Sequence, residues 1–449
     1  MEKQEKSLFS FLNTATARFI LVGILTLLLL IPLEFVRQLI SERKHRQQEV
    51  IAEVNDKWGE EVIIYGPILK VPYKVYSETI IVDQNNETTK QRNSTTKYAY
   101  FFPETLSNSI DINTKSLKRG NYQSIVYSGG VTCNGNYLHP DFSDINTQDN
   151  AIEWEKATLL IRTTNLKNIT KEVQINLNGK SYTLESQHSG DDYGNMQTLS
   201  SGYLDSSLFS SKKPKDFSFS IQYNGSKSIR LVPIGKTTDV HLTSNWHSPS
   251  FTGEFLPNDE TKEISESGFS ADWKILNLNR PFGQSFFENL PDLMEYSFGV
   301  DFIIPNDEYQ QNERTAKYGL MVISLTFLVF FMIQAINKIH VHIVQYVMIG
   351  IALVLFYTLL LSISEHSSFN FAYLIAATGI ITMISLYSIT VLKVKKFALF
   401  VGSSLTCIYT FIFIIIQMEN YALLAGSIGL FIILALVMYF SRKIDWANN

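Results

Sequence analysis

IVQYVMIGIALVLFYTLLLSI, residues 343–363, contains no charged side chain, and four similar runs surround it at 318–335, 369–392, 397–416 and 421–440. About 20 apolar residues rising ~1.5 Å each match the ~30 Å hydrocarbon core of a bilayer, where only a helix can pair all of its own backbone groups. The last third of the chain therefore reads as a membrane bundle.

A sixth apolar run lies near the N-terminus. Residues 1–18 are polar and carry Lys3, Lys6 and Arg18, and residues 19–33 are free of charge. With Phe35 and Val36 this run is just long enough to span. No small-residue cleavage site follows it; Ile31, Pro32, Leu33 and Glu34 lead into a charged helix, 37–56, so the segment reads as an uncleaved anchor. The expected organisation is a short segment 1–18, transmembrane helices at 19–40, 317–336, 343–363, 369–392, 397–416 and 421–440, a large insert at 41–316, and a tail, 441–449.

Charged residues make up 18% of the chain and fall almost entirely outside the apolar runs, and a net charge of -4 gives no footing for nucleic-acid binding. Of the two cysteines, Cys133 lies in the insert and Cys407 in a span, so no disulfide framework is available. The insert must be held by an ordinary packed core, and roughly 275 residues are ample for one.

Orientation follows from Lys and Arg in the short loops. A cytoplasmic N-terminus puts Lys338, then Lys393, Lys395 and Lys396, then Arg442 and Lys443 on the cytoplasmic side, whereas loops 364–368 and 417–420 carry no Lys or Arg. Both termini are then cytoplasmic and the insert extracytoplasmic. Arg37, Arg43, Lys44 and Arg46 disagree, flanking the first helix on its expected outer side. The later helices decide, because their alternation is unbroken and long domains cross regardless of charge.

Inside the insert the period changes from helix to strand. Residues 61–76 (EVIIYGPILKVPYKVY) read as strands broken by turns at Gly66-Pro67 and Pro72. Further β-branched and aromatic runs recur from 98 to 304, separated by Asn, Gly and Ser clusters that include Asn178-Gly179 and Asn224-Gly225, both favourable hairpin turns. The polar stretch 83–97 (DQNNETTKQRNSTTK) reads as a loop between strands. The fold class is therefore a membrane protein with six transmembrane helices, one plus five, and a large mainly-β extracytoplasmic domain inserted between helices 1 and 2.

Candidate chemistry is sparse. Gly235-Lys236-Thr237 and Gly179-Lys180-Ser181 lack the upstream glycine of a phosphate loop, having Arg230 and Gln174 in its place. Ser244–Phe251 (SNWHSPSF) sets His247 beside two serines with Asp272 not far along, but no nucleophile elbow accompanies it, and a packed aromatic corner built on Trp246 and Phe251 is the stronger reading. His340 and His342 lack metal-ligand spacing. No cofactor or metal is called for. Glu34 is ionisable and close to a span, a functional candidate by default. Arg37, three positions on, makes an interfacial ion pair the stronger expectation.

The other five spans lack Asp, Glu, Lys, Arg and His, which disfavours a proton-driven pump, and Gln334 and Gln345 read as interhelical hydrogen-bond partners. Ala372 with Ala376, Ala422 with Gly426, and Ala425 with Gly429 read as close-packing seams within the bundle. Glu365 beside His366, in a loop at the membrane surface, is a chemically usable pair as well as an ordinary polar loop.

With these residues in view, the chain resembles the CreD family of bacterial inner-membrane proteins, described as cell-envelope integrity or colicin-tolerance proteins. The likeness covers nearly the whole chain. It is carried by Ile31-Pro32-Leu33 with Arg37-Gln38-Leu39-Ile40 and Glu42-Arg43, Gly66-Pro67 with Pro72, 242–257 (LTSNWHSPSFTGEFLP), and Gly268-Phe269 with Ala271 and Trp273. Arg314 with Ala316-Lys317-Tyr318, Leu325-Thr326-Phe327, Gln345-Tyr346, 356–366 and Ile444-Asp445-Trp446 continue it. The chain departs from the family pattern at His247-Ser248, where Pro then His is the rule, and at Gln334, where an acid is common.

The resemblance implies a bacterial inner-membrane location, a part in envelope integrity or the response to envelope stress, and no assigned catalytic residue. The leading expectation is a non-enzymatic protein acting through its insert, with the lipid bilayer and envelope proteins or cell-wall or outer-membrane components as partners. The alternative is a membrane enzyme acting on a lipid or glycan at the outer leaflet, using Glu365 and His366.

Overall fold

The computed structural model describes residues 15–82, 88–145, 151–187, 196–304, 308–337, 339–418 and 421–442. Most of the expected N-terminal segment and the Ile444-Asp445-Trp446 end lie outside them. The chain divides into two compact units, Met1–Glu49 with Asn306–Asn449, and Val50–Pro305.

The first described elements are two helical stretches, α1 (Ala15–Leu28) and α2 (Leu30–Trp58), interrupted only at Leu29. Hydrogen bonds persist across the interruption, from Leu29 N to Leu25 O at 3.0 Å and from Leu33 N to Leu29 O at 3.3 Å. Pro32 explains the irregularity, since it has no N–H to give to the Leu28 carbonyl. The expected charged helix is not a separate element: α2 carries the apolar span directly into the charged sequence and stops before Gly59, whose φ of +86° is a helix-ending conformation.

The remaining helices are α3 (Glu308–Lys317), α4 (Gly319–Asn337), α5 (Ile343–Ser364), α6 (Phe369–Leu392), α7 (Lys395–Gln417) and α8 (Ala422–Ser441). Among the described residues, six helices are long and apolar enough to cross a membrane. A Cβ on Gly319 would strike Leu33, and one on Gly350 would strike Leu29 and Phe327, so the first span packs tightly against α4 and α5. Ala372 and Ala376 are buried on α6, and Gly426 and Gly429 of α8 face Ile415 and Phe411 of α7. Those small residues serve intramolecular seams. Gln334 accepts from the Tyr346 hydroxyl at 3.0 Å, joining α4 to α5 as expected. Gln345 does something else: its side chain accepts from the His342 N–H at 2.9 Å and closes a capping box at the start of α5.

The β unit contains β1 (Val62–Val82), β2 (Thr88–Phe101), β3 (Thr105–Arg119), β4 (Tyr122–Tyr137), β5 (Thr158–Thr163), β6 (Gln174–Leu177), β7 (Lys180–Gln187) and β8 (Gln197–Ser201). These are followed by β9 (Lys215–Ser226), β10 (Ser228–Leu231), β11 (Thr237–Ser244), β12 (Pro249–Gly253), β13 (Glu263–Ser265), β14 (Gly268–Leu276), β15 (Ser285–Phe287) and β16 (Phe298–Phe302). Their order is β12-β16-β10-β1-β5-β8-β7-β6-β9-β4-β3-β11-β14-β13, with β2 on β1 and β15 on β2. Among the described strands, only β1 with β10 and β3 with β11 are parallel.

Strand β7 pairs β6 through its first half and β8 through its second, so one strand links two sheets. The sheets face each other over a common core. Tyr127 of β4 meets Phe302 of β16 at 5.2 Å between ring centroids, and Trp273 of β14 meets Phe298 of β16 at 5.6 Å. In β3 residues alternate exposed and buried from Thr105 to Thr114, the period expected of a half-buried strand.

Three expectations are corrected. Gly66-Pro67 and Pro72 do not break the first strand: β1 continues to Val82, with a register shift between Tyr65 and Ile68 where Pro67 needs no ladder partner. The expected polar loop is largely strand, since Thr88–Lys97 pairs residue by residue with Tyr73–Val82. A polar sequence suffices at 92–96, where every residue is exposed. Asn178-Gly179 does form the β6–β7 turn, with φ values of 50° and 86°. Asn224-Gly225 lies inside β9 instead, opposite Ser128 and Tyr127. Gly225 is needed there because a Cβ would collide with the Tyr127 ring.

Candidate functional site

Three helices meet where α5 ends. Glu365 caps α5, its N–H bonding the Leu361 carbonyl at 3.2 Å. A carboxylate here faces the negative end of the helix dipole, and its side chain is only 14% exposed, so it needs compensation. Arg43 of α2 supplies a cation at 3.7 Å and Tyr309 of α3 donates its hydroxyl at 3.3 Å, both to the same carboxylate oxygen. One residue earlier, the Ser364 hydroxyl accepts from the buried Asn312 amide at 2.8 Å.

Helices α2 and α3 are joined as well. Arg37 donates to the Ala316 carbonyl at 3.2 Å and pairs with Glu34 at 3.3 Å. Lys44 lies 3.0 Å and Lys317 3.1 Å from Glu313. The hydrogen bond from Lys44, then that from Lys317, holds the Glu313 carboxyl below the usual carboxylate range. Arg46 pairs with Glu49 at 2.7 Å. The four basic residues that disagree with the loop-charge pattern therefore each face a carboxylate in the folded chain.

Glu365 and His366 are not brought together. Glu365 turns to Arg43 and Tyr309, while His366 is exposed and makes no side-chain hydrogen bond to a described residue. Glu34 is tied to Arg37. At the other candidate, Trp246 donates its indole N–H to the Ser248 carbonyl at 2.9 Å and its ring lies 4.8 Å from that of His247. Phe251 packs edge-on against Phe269 and Trp273 at 5.6 and 5.8 Å, which makes this stretch an aromatic corner. Asp272 does have a histidine partner, but it is His241 at 2.7 Å, directly across from it between β11 and β14.

The two lysines of the phosphate-loop look-alikes are also occupied. Lys180 pairs with Asp205 at 3.2 Å and Lys236 with Glu104 at 2.8 Å. His340 bonds Arg18 at 2.6 Å, and His342 caps α5 by accepting from the Val344 N–H at 3.3 Å. Among the described residues no group of three or more His, Cys, Asp or Glu side chains is arranged to hold a metal.

Residues 14–447 match the model of the family described as inner membrane protein CreD. The chain belongs to the CreD family. The inner membrane protein CreD of Escherichia coli (strain K12) is 29% identical over 431 residues, covering 94% of this chain and 91% of that protein. Six apolar helices, one before the β-rich insert and five after it, fit a multi-pass inner membrane protein of this family.

Tyr309 and Asn312, the CreD residues that engage the end of α5, carry no sequence signal by themselves. Arg43 is legible only as an anomaly of charge placement. A strand-register argument would have paired His241 with Asp272, had the strand neighbours been known.

Proposed function

We propose that this protein supports cell-envelope integrity without catalysing a reaction, its β-rich unit acting outside the cytoplasm and its helices anchoring that unit. The observation that carries this reading is the engagement of Glu365. A general base must be free to accept a proton from a substrate. Here Arg43 and Tyr309 both address one of its oxygens, a joint between helices. The partners that suit a large strand-built surface are envelope proteins or cell-wall or outer-membrane components. The loop charges argue for cytoplasmic termini.

Two experiments test this. Removing residues 62–302 while verifying that all six spans still insert should abolish the envelope phenotype of the gene; full function without the β unit would overturn the proposal. Replacing Glu365 by Gln and His366 by Asn should leave that phenotype intact, whereas its loss in a stably inserted variant would favour the membrane enzyme acting on a lipid or glycan.

A further inference from the structure

The sheet made by β14, β11, β3, β4, β9 and β6 turns one side to the core and the other to solvent. Register aligns its outward side chains in rows. Ser109, Thr132 and Ser220 stand side by side on β3, β4 and β9, and Ser107, Asn134 and Ser218 form the next row. All six residues are exposed, and none makes a side-chain hydrogen bond to a described residue. The flanks differ. On β11 and β14, His241 meets Asp272 at 2.7 Å and Lys274 lies 3.7 Å from Asp239. On β6, Asn176 accepts from the Gly179 N–H at 2.9 Å and Gln174 from the Ser181 hydroxyl at 3.3 Å. The polar groups at the margins are spent on each other, and the unspent ones gather in the middle.

Composition separates this face from an ordinary solvated one, which mixes charges of both signs. Strands β3, β4 and β9 each present five outward positions, over 105–113, 128–136 and 216–224. Asp111 and Asp216 are the only charged residues among these positions, and none is aliphatic or aromatic. There is no cation to hold nucleic acid or an anionic lipid. Nor is there an apolar anchor for a protein partner or a bilayer. Hydroxyls and amides remain, groups that both donate and accept hydrogen bonds. A ligand that does the same matches them, and such short side chains lose little rotamer freedom when it binds.

We propose that this face binds an uncharged glycan, laid across β3, β4 and β9 with its hydroxyls exchanging hydrogen bonds with the six side chains. That the glycan belongs to the envelope rests on the extracytoplasmic role proposed above; the site itself does not. With no aromatic ring to stack on, each sugar contributes little, so binding strengthens as the chain lengthens.

Calorimetric titration of the full-length protein, in a detergent without a sugar head group, with N-acetylglucosamine oligomers and with glucose oligomers of increasing length tests the site. The expected result is saturable binding of at least one series, tighter for longer chains. Thr132→Lys or Ser220→Lys, which stands a long cation in the middle of the face, should weaken it about tenfold. Thr95→Lys, also at an exposed strand position, should leave it unchanged. All three variants should keep the wild-type unfolding midpoint. No saturable binding of either series, binding indifferent to length, or undiminished binding in both Thr132→Lys and Ser220→Lys would overturn the proposal. Oligomer binding together with an intact envelope phenotype after removal of the β unit would overturn the envelope role and leave the site standing.

Discussion

The Lys44 ammonium lies 3.0 Å from the Glu313 carboxylate, joining the helix by which the chain leaves the membrane unit to the one by which it returns. Glu313 also holds Lys317, so the acid has two partners and Lys44 has one. Half-exposed pairs of this kind contribute about 0.2–1 kcal/mol each.

Lys44→Met should therefore lower stability slightly, and Glu313→Gln by more, in thermal unfolding of the detergent-purified protein. The pH dependence has a fixed sign. Because the folded-state carboxyl is held below its ordinary value of 4.5, its contribution is complete above that value and disappears as pH falls through the depressed one. The gap between wild type and Glu313→Gln should close on acidification; a gap that widens would contradict the pairing.

Gly350 gives a packing prediction for the bundle. The space a side chain would need there is filled by Leu29 and Phe327. Overpacking of this kind costs about 1–3 kcal/mol. Gly350→Val should reduce the unfolding midpoint and the yield of folded protein, whereas Gly379→Val, with nothing within 4 Å, should do neither.

Two glycines of the β unit separate steric from conformational cost. Gly225→Ala drives a methyl into Tyr127, which is fully buried and hydrogen-bonded to the Ser228 carbonyl at 2.8 Å. Gly179→Ala meets no atom and is penalised only for its φ of +86°, about 1 kcal/mol. Gly225→Ala should be the more destabilising by a clear margin in denaturant unfolding, and the reverse order would argue against the β4–β9 register.

Cys133 should report on the opening of the β unit. It is completely buried and its thiol is pushed well above the ordinary range by that burial, so little reactive thiolate forms. In a Cys407→Ser background, maleimide should label the folded protein negligibly and the denatured protein fully. Rapid labelling under native conditions would show that the packing around β4 is looser than described.

The two halves of the protein were legible to different degrees. The spans and the Asn178-Gly179 turn follow from runs of neighbouring residues, where hydropathy and turn preference act locally. The stretch 83–97 reads as a loop because polar composition reports exposure, and exposed strand residues such as those at 92–96 need only their backbone partners. Asn224-Gly225 misled because the same glycine that permits a turn also permits a close approach by a ring, and only the position of Tyr127 distinguishes the two uses.

The candidate residues fared similarly. Glu34 with Arg37 was readable because three positions on one helix place the two side chains together. Glu365 stands out in its loop, yet its partners Arg43 and Tyr309 come from distant parts of the chain. Asp272 lies near His247 in sequence, but its partner is His241.

What the sequence determined alone is that six segments belong in lipid and that the long insert is built of strands, because solvent preference and side-chain period are properties of consecutive residues. Which polar groups meet was decided by the tertiary structure. Strand register set Asp272 against His241, and helix packing delivered Arg43 and Tyr309 to Glu365, since burial makes each such group require a partner that no local pattern can name.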